Sequence, residues 1–124
     1  MARILVVEDE DHVRDFVRRA LELDGHVTVG ARDGAEGLEL LQQGGDAFGL
    51  LLTDIRMPVM DGIALALSVA RDFPDLTILL MTGFADQRER ASNLNALVHD
   101  VVTKPFSVAD IRTAVADALA AKKG

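Results

Sequence analysis

A chain of 124 residues fits one domain of ordinary size, and 49% hydrophobic with 27% charged residues is the make-up of a folded protein rather than a disordered one. Twenty acidic against thirteen basic residues leave a formal charge of −7, so the phosphate neutralisation that underlies nucleic-acid affinity is missing and no nucleic-acid partner is expected. The absence of cysteine excludes disulfides, thiolate nucleophiles and zinc-thiolate centres; with neither a signal peptide nor a run near the roughly 20 apolar residues of a membrane span, a cytoplasmic protein without membrane partners is expected.

The first apolar run, Ile4-Leu5-Val6-Val7, is continuous, as in a parallel strand covered on both faces. Val13, Phe16, Val17, Ala20 and Leu21 follow with the spacing of an amphipathic helix, which Asp24-Gly25 ends. Val27-Thr28-Val29 is short and alternates with polar neighbours, which suits an edge strand. Asp33-Gly34-Ala35-Glu36 has the N-cap acceptor and following Glu that open a second helix. Phe48 to Leu52 is the third strand, Ile63 to Asp72 the third helix, closed ahead of Pro74, and Ile78 to Met81 the fourth strand. Asp86-Gln87-Arg88-Glu89 predicts a fourth helix, Val101-Val102 a fifth strand and Ser107-Val108-Ala109-Asp110 the start of a fifth helix. Such alternation implies a parallel sheet with helices on both faces and ligands outside the carboxyl ends of the strands.

The residues at those ends are Glu8-Asp9, Asp54, Thr82 and Lys104-Pro105. Carboxylates about 5 Å apart repel by roughly 3 kcal/mol at an effective dielectric near 20, so three in one cleft call for neutralisation. Lys104 offsets one charge, and the rest suits a hard, oxygen-liganded cation such as Mg²⁺. An Asp carboxylate beside it can attack phosphorus and carry an acyl phosphate, with Thr82 and Lys104 holding the phosphoryl oxygens. Taken singly, Glu8-Asp9 reads as a cap for the first helix, Asp54 and Thr82-Gly83 as turn residues; together they demand four coincidences. His12, His26 and His99, in no metal spacing, read as solvated.

In Ile4-Leu5-Val6-Val7-Glu8-Asp9, Leu52-Thr53-Asp54-Ile55-Arg56-Met57-Pro58-Val59-Met60-Asp61-Gly62, Met81-Thr82-Gly83 and Thr103-Lys104-Pro105-Phe106 the chain resembles the receiver domains of two-component response regulators, over essentially its whole length. The resemblance implies a flavodoxin-like (βα)5 three-layer sandwich with a five-stranded parallel sheet of order 2-1-3-4-5, and residues 1–124 as a single receiver domain. By the same resemblance Asp54 is the phosphoacceptor, with Asp9, Asp54 and the backbone carbonyl of Arg56 ligating Mg²⁺ and Glu8 acting through water. Thr82 would report phosphorylation, Lys104 would pair with the phosphate, and the Lys104–Pro105 peptide would be cis.

The implied partners are a sensor histidine kinase or histidine phosphotransfer protein as donor and an output protein meeting the face of the fourth helix, fifth strand and fifth helix. Among stand-alone receivers the chain is most similar to the alphaproteobacterial CpdR-like group, adaptors for an ATP-dependent protease. It departs from the family pattern in carrying Val101 where an aromatic switch residue is usual and Leu97 where a helix-ending glycine is common. Signalling is then expected through the loop after Thr82 and the charged turn from Asp86 to Arg90, while Arg56 and Phe84 flank the phosphate. The alternatives are a Mg²⁺-dependent phosphohydrolase, which usually has a second Asp where Arg56 stands, and a phosphorylation-independent scaffold. The third helix has apolar residues on more than one face, and Leu67 marks a candidate partner surface.

Overall fold

The computed structural model describes residues 2–44, 47–83 and 97–123. Five parallel strands, β1 (Arg3–Val7), β2 (Val27–Ala31), β3 (Leu50–Asp54), β4 (Thr77–Thr82) and β5 (Asp100–Thr103), lie in the order β2-β1-β3-β4-β5. Four helices are described: α1 (Asp11–Glu22), α2 (Gly34–Gly44), α3 (Gly62–Asp72) and α4 (Val108–Lys123). The helix expected to open at Asp86 lies outside the described residues, as do Phe84 and the turn from Asp86 to Arg90.

The apolar runs are continuous because the sheet has a core on each side. Strand side chains alternate between faces. Ile4, Val6, Leu50, Leu52, Leu79 and Met81 therefore pack with Val17, Ala20 and Leu21 of α1 and Ile111, Val115 and Ala118 of α4. Leu5, Val7, Leu51, Ile78 and Leu80 point the other way, onto Leu41 of α2 and Leu65, Ala66 and Val69 of α3. Truncating any of these leucines to alanine removes about 2–5 kcal/mol. The result is the expected three-layer sandwich and strand order.

Two expectations are corrected. Phe48 and Gly49 precede β3 rather than forming it: the Gly49 N–H donates to Arg3 O at 2.8 Å, while Phe48 is buried with the Arg3 guanidinium 5.0 Å from its ring centroid. An apolar run marks burial, not backbone pairing. His26 is half-buried rather than solvated, its Nδ1 accepting the Ala2 N–H at 3.0 Å, and burial lowers its pKa.

The helix starts follow their caps. Asp33 accepts from Glu36 N–H at 2.8 Å and Asp61 from Ala64 N–H at 2.8 Å, while Ser107 and Asp110 cap each other reciprocally. At α1 the N-cap is Glu10, which makes no side-chain cap bond, so neither Glu8 nor Asp9 is the N-cap that a purely structural reading makes of them. Leu67 is the one large, exposed apolar residue of α3; as a single leucine it marks no patch among the described residues.

Candidate metal centre

Parallel strands align their carboxyl ends, and the predicted site residues fall there. Glu8 follows β1 directly; its N–H donates to Ala31 O at 3.0 Å, which continues the β1–β2 ladder. Asp54 closes β3 opposite Met81, Thr82 closes β4 opposite Thr103, and Lys104 follows β5 with its N–H donating to Thr82 O at 2.7 Å. The Lys104–Pro105 peptide is cis, as expected from the motif.

Glu8 is 0% exposed and Asp54 6%, whereas Asp9 is open to solvent. Carboxylate oxygens of the three lie within 4.8 Å of one another. Lys104 Nζ bridges two of them, 2.9 Å from Glu8 Oε1 and 3.1 Å from Asp54 Oδ2. Burial pushes the Glu8 carboxyl up to about 7; the Lys104 hydrogen bond opposes the rise, and Asp9 and Asp54 add to it. Burial pulls the Lys104 ammonium down, but its bond to Glu8 and the charges of Asp54 and Glu8 outweigh this and hold it above the ordinary lysine value. The cleft thus has more negative charge than its lysine satisfies. Oxygen-only donors, close-set and partly buried, are what a hard divalent cation requires, so the residues fit Mg²⁺.

The loop after Asp54 is held tightly. Gly62 N–H donates to Ile55 O at 2.8 Å, and a Cβ on Gly62 would stand 2.0 Å from the Asp54 carbonyl oxygen. The Gly34 N–H donates to Met60 O at 3.2 Å, and a Cβ on Gly34 would stand 2.5 Å from that oxygen. Between these clamps Val59 takes φ 69°, with the Met60 N–H donating to Pro58 O at 2.8 Å, a three-residue turn that disfavours β-branched side chains. Arg56, exposed, lies on the same loop.

The structure therefore brings Glu8, Asp9, Asp54 and Lys104 together. Thr82 is buried at the end of β4, next to β3 and β5, and Val101 packs from β5 against the α2–α3 core. Sequence reasoning missed two contributors. Gly62 stands within the Asp61-Gly62 pair, whose backbone role no spacing announces, and Arg14 donates to the Glu8 carbonyl at 2.9 Å from six residues downstream.

Four strand ends that feed one partly buried, acidic cleft on a five-stranded parallel sheet are the architecture of a response-regulator receiver domain. The family comparison agrees. A model described as the response regulator receiver domain matches residues 4–116, and the chain belongs to that family. Receiver domains bind Mg²⁺ through acidic residues and are phosphorylated by histidine kinases.

The chain is 40% identical over 111 residues to the response regulator receiver protein CpdR of Brucella abortus (strain 2308), covering 90% of this chain and 91% of CpdR. It is 35% identical over 109 residues to the response regulator MprA of Mycobacterium ulcerans (strain Agy99), covering 88% of this chain but 46% of MprA. Among solved structures, the response regulator TrrA of Thermotoga maritima, in complex with Mg(2+)-BeF, superposes with TM-score 0.84 at 28% identity, covering 94% of this chain and 98% of TrrA. No helix among the described residues is long and apolar enough to cross a membrane.

Proposed function

We propose that this chain is a single receiver domain that accepts a phosphoryl group on Asp54 from a phosphohistidine, on a sensor kinase or a phosphotransfer protein, and signals by protein-protein contact. The observation that carries the proposal is Lys104 Nζ bridging Glu8 and Asp54 inside a trio of carboxylates. Asp9, Asp54 and the Arg56 carbonyl would hold Mg²⁺, with Glu8 acting through water. When bound, the ion supplies the charge neutralisation that lets an anionic phosphoryl group approach an anionic acceptor.

An Asp54 carboxylate oxygen attacks phosphorus. The O–P bond forms as the P–N bond to the donor imidazole breaks; the electron pair leaves on that nitrogen, which takes a proton from water. Lys104, at 3.1 Å from Asp54 Oδ2, is placed to follow the new negative charge, and the Thr82 hydroxyl is the second group at that edge. The likeness to CpdR, a receiver protein matched over 91% of its length, supports a stand-alone regulator; the output of this proposal is adaptor service to an ATP-dependent protease, through the face of the predicted fourth helix, β5 and α4. The Mg²⁺-bound state of TrrA supports the metal reading.

Intact mass after incubation with a small-molecule acyl phosphate and Mg²⁺ tests the proposal. One hydroxylamine-labile phosphoryl adduct is expected in the wild type and none in Asp54→Asn. Persistence of the adduct in that variant would remove Asp54 from the role; continuous phosphate release would mark a phosphohydrolase, and no reaction a scaffold.

A further inference from the structure

Every hydrogen-bonding group of Glu8 is engaged. Its N–H donates to Ala31 O, Oε1 accepts from Lys104 at 2.9 Å, and Oε2 accepts from the Glu10 N–H at 3.1 Å. The carbonyl accepts from Arg14 Nη1 at 2.9 Å, and Arg14 Nη2 pairs with Asp11 Oδ1 at 2.5 Å. Arg14 thereby grips the chain on both sides of Asp9. Its side chain is 15% exposed, against 76% for Asp11, so the guanidinium is built into the fold rather than waving from α1. Room for it comes from β2: a Cβ on Gly30 would stand 3.1 Å from Arg14 Cδ. Glu10 supplies no side-chain cap at the start of α1, and the turn that leads into the helix is tied instead by the two Arg14 bonds, to the Glu8 carbonyl before Asp9 and to the Asp11 carboxylate after it.

We propose that Arg14 is a positioning residue for divalent-cation binding, holding the Glu8–Asp11 turn in the shape that presents Asp9 to the cleft before the ion arrives. The inference rests on the metal reading given above. Two effects of the residue act in opposite directions. As a cation near a cation site, Arg14 weakens binding by repulsion; as a clamp, it strengthens binding by removing the ordering cost of the turn. Deleting it therefore tells them apart by sign.

Mg²⁺ titrations of thermal melts followed by circular dichroism, with Mn²⁺ binding by electron paramagnetic resonance as a second probe, test the inference. Arg14→Ala is expected to bind the ion about tenfold more weakly, as loss of an outer-shell partner typically does. Arg14→Lys, which keeps the charge, the stem and one donor, should fall between it and the wild type. At saturating Mg²⁺, acyl-phosphate labelling of Arg14→Ala should return to near the wild-type rate, because the clamp touches no reacting atom. Should Arg14→Ala fail to fold, Gly30→Val presses on the same stem without removing charge and should also weaken Mg²⁺, with Arg18→Ala, whose side chain that Cβ also approaches, as the control expected to leave the affinity unchanged.

Affinity unchanged or tighter in Arg14→Ala, or in Gly30→Val where the former does not fold, overturns the inference. Asp9→Ala is the control. A wild type that binds no Mg²⁺ takes down the metal reading and this inference together, whereas wild-type binding with undiminished affinity in the Arg14 variant takes down this inference alone.

Discussion

At the amino-terminal edge of the sheet Arg112 reaches Asp24 in the turn before β2 with both partners in contact with water, whereas at the carboxyl edge Lys104 stands between two carboxylates that are nearly dry. The chemistry of the two pairings is the same and the consequences are not. Asp24 is held below the usual carboxylate range by its hydrogen bond to Arg112, as an ion pair in water should be. Glu8, despite a lysine at 2.9 Å, is pushed up to about 7 because burial outweighs the pairing. Backbone strain divides in the same way: Val59, the one non-glycine with positive φ among the described residues, lies in the loop after Asp54. Unfavourable features gather at the edge where the proposed site lies.

The largest effect that would break this comparison is expected at Gly62. Gly62→Ala sets a methyl against the Asp54 carbonyl, which cannot yield, and should cost about 3 kcal/mol or more in urea unfolding. The matching change at the end of α2, where a Cβ on Gly44 meets nothing within 4 Å, should cost nothing and can add up to about 1 kcal/mol. Equal effects at the two sites would erase the distinction.

Glu8 sharpens the comparison through pH. Its folded pKa of about 7 lies above the ordinary 4.5, so between these values the folded state holds a proton that the unfolded state has lost. Stability from this group is therefore full below pH 4.5 and lost as pH rises through 7, by at most about 3 kcal/mol without divalent cations. Urea unfolding at pH 5 and pH 8 in chelator measures it. Glu8→Gln should flatten the slope, and millimolar Mg²⁺, which favours the carboxylate, should raise stability more at pH 8 than at pH 5.

Smaller still is the relief of strain at Val59. Val59→Asn places a residue tolerant of the left-handed region at this 84% exposed position and should gain about 1 kcal/mol in the same assay. A loss instead would mean that the exposed valine makes a contact the turn needs. The smallest effect is expected at the amino edge, where Arg112→Ala should leave the melting temperature nearly unchanged and any difference should vanish in high salt.

Much of the architecture was legible in one dimension. Continuous runs such as Ile4–Val7 and Ile78–Met81 report burial on both faces, and the helical spacing of Val13 to Leu21 reports burial on one; alternating them leaves a two-sided parallel sheet as the economical solution. The acids and the lysine were legible because parallel strands bring the ends of distant runs to a single edge. The strand order itself came from resemblance to a family, since run lengths identify edge strands but not their neighbours.

What only the tertiary structure decided depends on approach distances that no periodicity encodes. Phe48 belongs to the core but not to β3, because apolarity drives burial whatever the backbone pairs with. Glu8 rather than Asp9 is the buried acid, because the β1–β2 ladder runs one residue past β1 and carries Glu8 beneath Lys104. A side chain at Gly62 would run into a carbonyl eight positions back, and Arg14 reaches Glu8 across a space left open by Gly30 of β2. Each depends on how closely a turn or a neighbouring strand brings particular atoms together, a distance that the spacing of apolar residues along the chain does not carry.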